Sequence, residues 1–262
     1  MATDPHDGRW NPDRYLLFSE ERTRPSRDLV ARIALDAPAA IVDIGCGPGN
    51  STQVLRERWP DARIVGMDSS PEMIDKACAG CPEGEWVLAD AATWDPGERY
   101  DLVFSNAALQ WIPGHRELVA RLWDLVAPAG ALAVQLPANS GSPIHRALVE
   151  VAQWEAYRDR LAPCTHRLVY EPPGLYYDVL APPAGRLDMW ETTYYHVLPG
   201  RRSIIDWYAS TGMRPYLERL ADEAEREAFQ AEVLALAGPQ YPVQVDGRVL
   251  FPFRRLFFVA YR

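Results

Sequence analysis

The sequence predicts an α/β fold with a mostly parallel sheet, an antiparallel edge and a helical lid, and three observations carry that reading. Short apolar runs alternate with helical patterns between residues 40 and 136, as in βα units that feed a parallel sheet. A glycine turn at residues 45–49 joins the first run to a helical pattern. Two long aromatic-rich runs come late in the chain, where that alternation has stopped.

Strands are expected at residues 40–44, 63–67, 86–88, 100–105 and 131–136. Each is short and rich in Val, Ile, Leu or Phe, the pattern of strands covered by helices on both faces. Helices are expected to begin near Asn50, Pro71 and Pro113, with Ser70 as a cap and proline in a first turn, where its missing N–H costs nothing. Gly130 is expected to end the connection after residues 118–126. Pro137, Gly141 and Pro143 then break the chain before a helix at 144–160. Prolines punctuate residues 161–185, leaving room for one short helix near 175–180. Residues 187–198 and 249–261 read as strands pairing antiparallel at a sheet edge, with helices at 203–211 and 216–237 between them. The division expected is a single domain over residues 1–262, with an N-terminal lid helix region at 1–30, a ligand-binding core at 40–136 and lid insertions at 139–185 and 200–240.

The chain has 262 residues, 48% of them hydrophobic and 24% charged, an ordinary globular balance. Its net charge of -9 gives no general attraction to nucleic acid or to an anionic membrane. An anionic substrate therefore needs local basic groups. Cys46, Cys78, Cys81 and Cys164 are too few and too irregular for a disulfide framework. The Cys78-x-x-Cys81 pair lacks a second pair to complete a zinc site, so no metal is expected. Asp4, His6, Asp7 and Arg9 stand where a signal peptide needs an apolar run, and no segment approaches the ~20 apolar residues of a membrane span. A soluble, cytoplasmic protein is expected.

Asp43-Ile44-Gly45-Cys46-Gly47-Pro48-Gly49-Asn50 leaves the first strand in a tight turn and opens a helix. Such a turn brings a ligand close to bare backbone at a helix N-terminus. Asp68 ends the next strand, where an acid bonds a ribose diol. Nicotinamide binding requires Gly-x-Gly-x-x-Gly, whereas the third glycine here comes one residue early and Pro48 removes a donor from any pyrophosphate cradle. A nucleoside ligand without a pyrophosphate follows.

These residues resemble the first two cofactor motifs of class I S-adenosylmethionine-dependent methyltransferases, a Rossmann-like fold. The resemblance implies that Asp43, Gly45, Cys46, Gly47 and Asn50 meet the methionine portion of S-adenosyl-L-methionine. It places Asp68 on the ribose hydroxyls and Asp90 on the adenine amine, with Ser69 and Ala91 as neighbours and Asn106 lining the methyl-donor site. Helix capping is the alternative reading of Asp90 and Asn106.

The similarity reaches across the chain. Residues 10–19, Arg22-Thr23-Arg24-Pro25, Gly49-Asn50-Ser51-Thr52, residues 105–111, residues 190–196 and residues 251–257 resemble the trans-aconitate 2-methyltransferase family. Residues 139–174 depart from it except at Pro143-x-His145. The activity implied is methyl-ester formation on a small polycarboxylate, most simply trans-aconitate, with S-adenosyl-L-homocysteine as the other product. A carboxylic acid of pKa ~4 is already ionised at neutral pH and needs no general base, so no catalytic residue beyond positioning groups is expected.

Arginine suits bidentate carboxylate contacts. Tyr15, Arg22, Arg24, Gln110, Trp111, His145, Tyr195, His196, Arg254 and Arg255 are the candidates for holding the acid, with Tyr194 beside them. Trp111 and Tyr194 also read as core residues. Strand alternation sends Tyr195 and His196, and likewise Arg254 and Arg255, to opposite faces. Other small-molecule methyltransferases of this fold and a non-catalytic S-adenosylmethionine-binding module are the competing functions.

Overall fold

The computed structural model describes residues 19–164 and 168–262, with the backbone alone for residues 19–22. Tyr15, the side chain of Arg22 and residues 10–18 lie outside the described residues. Seven strands form one sheet in the order β3-β2-β1-β4-β5-β7-β6. They are β1 (Ala40–Ile44), β2 (Arg63–Asp68), β3 (Glu85–Leu88), β4 (Tyr100–Asn106), β5 (Val126–Pro137), β6 (Arg186–Leu198) and β7 (Val249–Tyr261). Strands β1 to β5 pair in parallel, and β7 lies antiparallel to β5. By their contacts the described residues form two compact units, one of residues 21–138, 169–192 and 254–262 and one built on residues 139–164 and 193–253.

The first unit carries the parallel sheet. β1 is buried from Ile41 to Ile44 and sits between β2 and β4, with Val42 in register with both Val65 and Val103. Helix α1 (Ser19–Arg32) from residue 21 onward, and helices α2 (Asn50–Arg58), α3 (Pro71–Gly80), α4 (His115–Asp124) and α7 (Pro173–Leu180), belong to this unit. Ser70 caps α3 as expected, accepting from the Met73 amide at 3.4 Å. The helix expected from Pro113 starts at His115, because Gly114, with φ 72°, takes the N-cap position.

β5 begins earlier than expected, and Gly130 lies inside it rather than ending a connection. The chain turns back directly after α4: Tyr100 N–H donates to Leu125 O at 2.8 Å and Tyr100 pairs with Val126. The register then shifts between Tyr100 and Leu102, with Ala129 at φ 62°. A Cβ on Gly130 would stand 2.7 Å from Asp101 O, so this glycine marks a bulge where two backbones approach closely.

The second unit holds α5 (Pro143–Ala152), α6 (Arg158–Leu161), α8 (Arg202–Ala209), α9 (Arg214–Leu217) and α10 (Glu223–Ala237). Its core joins Leu148 and Val151 of α5 to Phe229 and Val233 of α10. The helix expected over 144–160 stops at Ala152, where Trp154 N–H bonds Val151 O and Tyr157 N–H bonds Trp154 O, each three residues back. The helix expected over 216–237 is also two. Asp222 accepts the Glu225 amide at 2.9 Å, and the Glu225 carboxylate accepts the Ala221 amide at 2.7 Å. That reciprocal cap starts a new helix. Among the described residues no helix is long and apolar enough to cross a membrane.

Candidate active site

The first unit brings the cofactor candidates together at the carboxyl ends of β1, β2, β3 and β4. Gly45 and Cys46 N–H groups both donate to Met67 O, at 2.7 and 3.0 Å, and the Gly49 amide donates to Cys46 O at 3.1 Å. Gly47 N–H donates to Asp68 Oδ2 at 2.9 Å. Each loop amide through Gly49 is therefore engaged within the chain, and Pro48 has none. A pyrophosphate would find no donor in this turn, as the early third glycine implied.

Two glycines serve this turn differently. Gly45, at φ +70°, stands so close to Ala108 that a Cβ there would collide with the alanine's own. Gly47, at φ +56°, has nothing within 4 Å of its Cβ position, so its bare face is open to a ligand. Beneath the loop, Asp43 is fully buried and its Oδ2 accepts from Ser51 Oγ at 2.6 Å and Thr52 Oγ1 at 2.7 Å. Burial pushes its pKa up to about 6, with the two hydroxyls pulling the other way. Asp43 thus ties β1 to the first turn of α2. Cys46 is also buried, and burial drives its thiol pKa far upward. Asn50 opens α2 with an exposed side chain.

Asp68 presents both oxygens at the end of β2, Oδ2 to Gly47 N–H and Oδ1 to Ser70 N–H at 2.9 Å. Each oxygen retains a second lone pair for a hydroxyl donor. Ser69 beside it is exposed. Asp90 is exposed after β3, with Oδ1 accepting the Ala92 amide at 2.9 Å, while Ala91 is buried. Asn106 ends β4 with Oδ1 buried and lacking any hydrogen-bond partner. It caps no helix, since the short 3-10 turn Leu109–Trp111 begins after Ala108 without a side-chain cap. The open face at Gly47, the paired oxygens of Asp68 and the orphaned Asn106 oxygen fit the ribose and amino-acid ends of S-adenosylmethionine.

Ala107, at φ 53°, is a non-glycine residue in the left-handed region, strain of the kind found at functional turns. Its carbonyl accepts from Gln110 Nε2 at 2.6 Å, and Gln110 is buried with Oε1 lacking a partner. Trp111 is 44% exposed and so is not a core residue. Arg254 is exposed, donating from Nε to Ala138 O at 2.9 Å and pairing with Glu191 at 3.6 Å. Arg255 is 5% exposed and donates from Nη1 to Gln135 Oε1 at 3.2 Å. Alternation along β7 thus turns Arg255 inward. Arg24 is exposed on α1 and lies 3.9 Å from Asp28.

In the second unit, Tyr195 is exposed and His196 buried, as alternation required. His196 stacks on Trp207 with ring centroids 4.4 Å apart, near Phe251 and Phe253. Tyr194 is buried. His145 lies in the first turn of α5, its backbone N–H bonded to Ser142 Oγ at 3.3 Å, and burial holds its imidazole pKa below the ordinary value.

Four residues of the first unit escaped the sequence reading. Trp86 of β3 lies over Gly66 and reaches Gly49, whose Cβ position is 3.0 Å from the indole edge. Its Nε1 donates to Cys81 O at 2.9 Å. The small residue in the middle of β2 was the available signal for it. His115 is buried between Tyr176 OH, 2.6 Å from Nδ1, and Leu109 O, 2.9 Å from Nε2. A carbonyl only accepts, so Nε2 carries the proton and His115 holds the turn that bears Gln110 and Trp111. Tyr176 and Gln135 are paired across long sequence separations that no local pattern exposes.

A methyltransferase domain family matches residues 18–175. The trans-aconitate 2-methyltransferase of Azoarcus sp. (strain BH72) is 46% identical over 254 residues, covering 97% of this chain and 99% of that one. The enzyme of the same name from Escherichia coli (strain K12 / DH10B) is 45% identical over 253 residues, covering 97% and 98%. In fold the chain is similar to the YcgJ protein of Bacillus subtilis, with a TM-score of 0.58 at 14% identity over 91% of this chain and 98% of that one. The BH2331 protein of Bacillus halodurans C-125 gives the same TM-score at 15% identity and the same coverage. With a relative nearly half identical along almost its whole length, the chain belongs to the trans-aconitate 2-methyltransferase family of class I S-adenosylmethionine-dependent methyltransferases.

Proposed function

We propose that the enzyme transfers a methyl group to one carboxylate of trans-aconitate, forming its monomethyl ester in the cytoplasm. The observation that carries this reading is the 46% identity to an enzyme named for that substrate, extending over 97% of the chain. Free thiols at Cys46, Cys78, Cys81 and Cys164 agree with a reducing compartment. The net charge of -9 favours a small-molecule acceptor over nucleic acid.

When bound, the cofactor supplies a methyl group on a positively charged sulfur. In this reading Asp68 holds the ribose diol, Asp90 meets the adenine amine and Asn106 Oδ1 accepts from the amino-acid ammonium. Asp43, through Ser51 and Thr52, keeps the glycine turn in place. The acid arrives as a carboxylate, so no side chain has to remove a proton. Arg255 supplies local positive charge, and Gln110 and Trp111 line the approach. Opposite charges on nucleophile and sulfur cancel during transfer, so a site that replaces bulk water with fixed groups lowers the barrier.

The rate profile against pH tests this reading. The maximal rate stays flat from about pH 6.5 to 8.5, well above carboxyl pKa values of about 4. A steep rise through neutrality that vanishes in His145→Ala or His196→Ala would indicate a general base and a hydroxyl or amine acceptor.

A further inference from the structure

We infer that Gln135 and Arg255 together form the receptor for an anchoring carboxylate of the acceptor acid, one that is held and not methylated. The inference rests on the polycarboxylate reading above. Gln135 lies on β5 in register with Asn106 of β4 on one side and Phe257 of β7 on the other. Register partners project from the same face of a sheet, as do residues two apart on a strand. Asn106, Gln135 and Arg255 therefore share one face, next to the strand end where the cofactor candidates gather.

The hydrogen bonding of this row selects its ligand. Arg255 can only donate, so the Gln135 atom that meets Nη1 at 3.2 Å is its oxygen and the amide orientation is settled. Gln135 Nε2 is then left as a donor, in a fully buried side chain, with no hydrogen-bond partner. Buried amide nitrogens are seldom left so, because an unmade bond costs about 1–3 kcal/mol. A guanidinium and an amide N–H₂ held side by side offer donors and no acceptor, which complements a carboxylate. The neighbouring Asn106 Oδ1 has the opposite need, an acceptor awaiting a donor. Adjacent register positions are thus sorted by polarity, one for a cationic group and one for an anion.

Strong donors draw electron density from a carboxylate and make it a poorer nucleophile. The carboxylate held by Gln135 and Arg255 is for this reason the anchor, and a second carboxylate of the same acid attacks the methyl group. The enzyme accordingly requires an acceptor with at least two carboxylates.

Two substitutions separate this role from simple support of Arg255. Gln135→Glu keeps an acceptor for Arg255 but removes the free donor and adds a negative charge. Gln135→Met removes the hydrogen bond without adding charge. Calorimetry with trans-aconitate on protein saturated with S-adenosylhomocysteine is expected to show weakening of about 10-fold for Gln135→Met and about 100-fold or more for Gln135→Glu. S-adenosylhomocysteine affinity should stay within about 2-fold of wild type in both. A purely structural role predicts the reverse order, with Gln135→Glu close to wild type, and that result overturns the inference, as does an equal loss of S-adenosylhomocysteine binding. If either variant fails to fold, the other decides, since acid affinity within about 3-fold of wild type in a folded variant also overturns it. A wild-type enzyme that binds other di- or tricarboxylates but not trans-aconitate removes the substrate assignment alone, and the two variants are then compared on the acid it binds. Binding of no polycarboxylate removes both.

Discussion

The Gly47 amide donates to Asp68 Oδ2 at 2.9 Å, so the acid proposed to hold the ribose also shapes the glycine turn beside it. Asp68→Ala should lose both functions while the rest of the sheet stays folded. Charge-assisted bonds are worth about 1.5–3 kcal/mol each, so S-adenosylhomocysteine affinity should fall at least about 10-fold. Calorimetry on the folded variant checks this, and unchanged affinity removes Asp68 from the site.

Gly45 and Gly47 are both left-handed but only Gly45 is crowded. Gly47→Ala should cost about 1–2 kcal/mol from backbone conformation alone. Gly45→Ala adds a collision with Ala108, worth roughly 1–3 kcal/mol more. Denaturant midpoints should therefore rank wild type, Gly47→Ala and Gly45→Ala in falling order.

The buried Asp43 carboxyl gives stability a definite dependence on pH. Its folded pKa of about 6 exceeds the 3.8 of the free group, so the folded chain binds this proton more tightly than the unfolded chain. The stabilising contribution is fully present below about pH 4 and is lost as pH rises through about 6. Asp43→Asn abolishes that dependence, and the variant should gain on wild type by on the order of 2 kcal/mol between pH 4 and 7. Parallel melting curves with no pH-dependent gap would contradict the assignment.

Tyr176 OH lies 2.6 Å from His115 Nδ1, and His115 in turn holds Leu109 O. Tyr176→Phe leaves a buried imidazole nitrogen unpaired, at a cost of about 1–3 kcal/mol. Because the affected turn carries Gln110 and Trp111, which are proposed to line the acid's approach, the KM for the acid should rise while S-adenosylhomocysteine affinity holds. Loss of both affinities together would point to a wider loss of structure around His115.

The sequence made the parallel core legible because each signal there is local. The apolar run at 40–44, the glycine turn after it, and Ser70 before Pro71 each report a strand, a turn or a cap within a few residues. The helices of the second unit were harder to read. Residues 222–225 are helix formers as well as a cap, so the break between α9 and α10 lay hidden in an unbroken helical composition. Candidate ligands on the loop were legible for the same local reason. The bond from Gln135 to Arg255 spans 120 positions and that from His115 to Tyr176 spans 61, and both depend on strand order and helix docking.

The proposed acceptor of the methyl group is a carboxylate. Incubation with methyl-labelled S-adenosylmethionine and trans-aconitate, followed by mass spectrometry before and after mild alkali, tests it most directly. A singly methylated acid whose label is released by alkali as methanol is expected, as an ester requires. A label that survives alkali on another nucleophile, or no transfer to any di- or tricarboxylic acid, would contradict it.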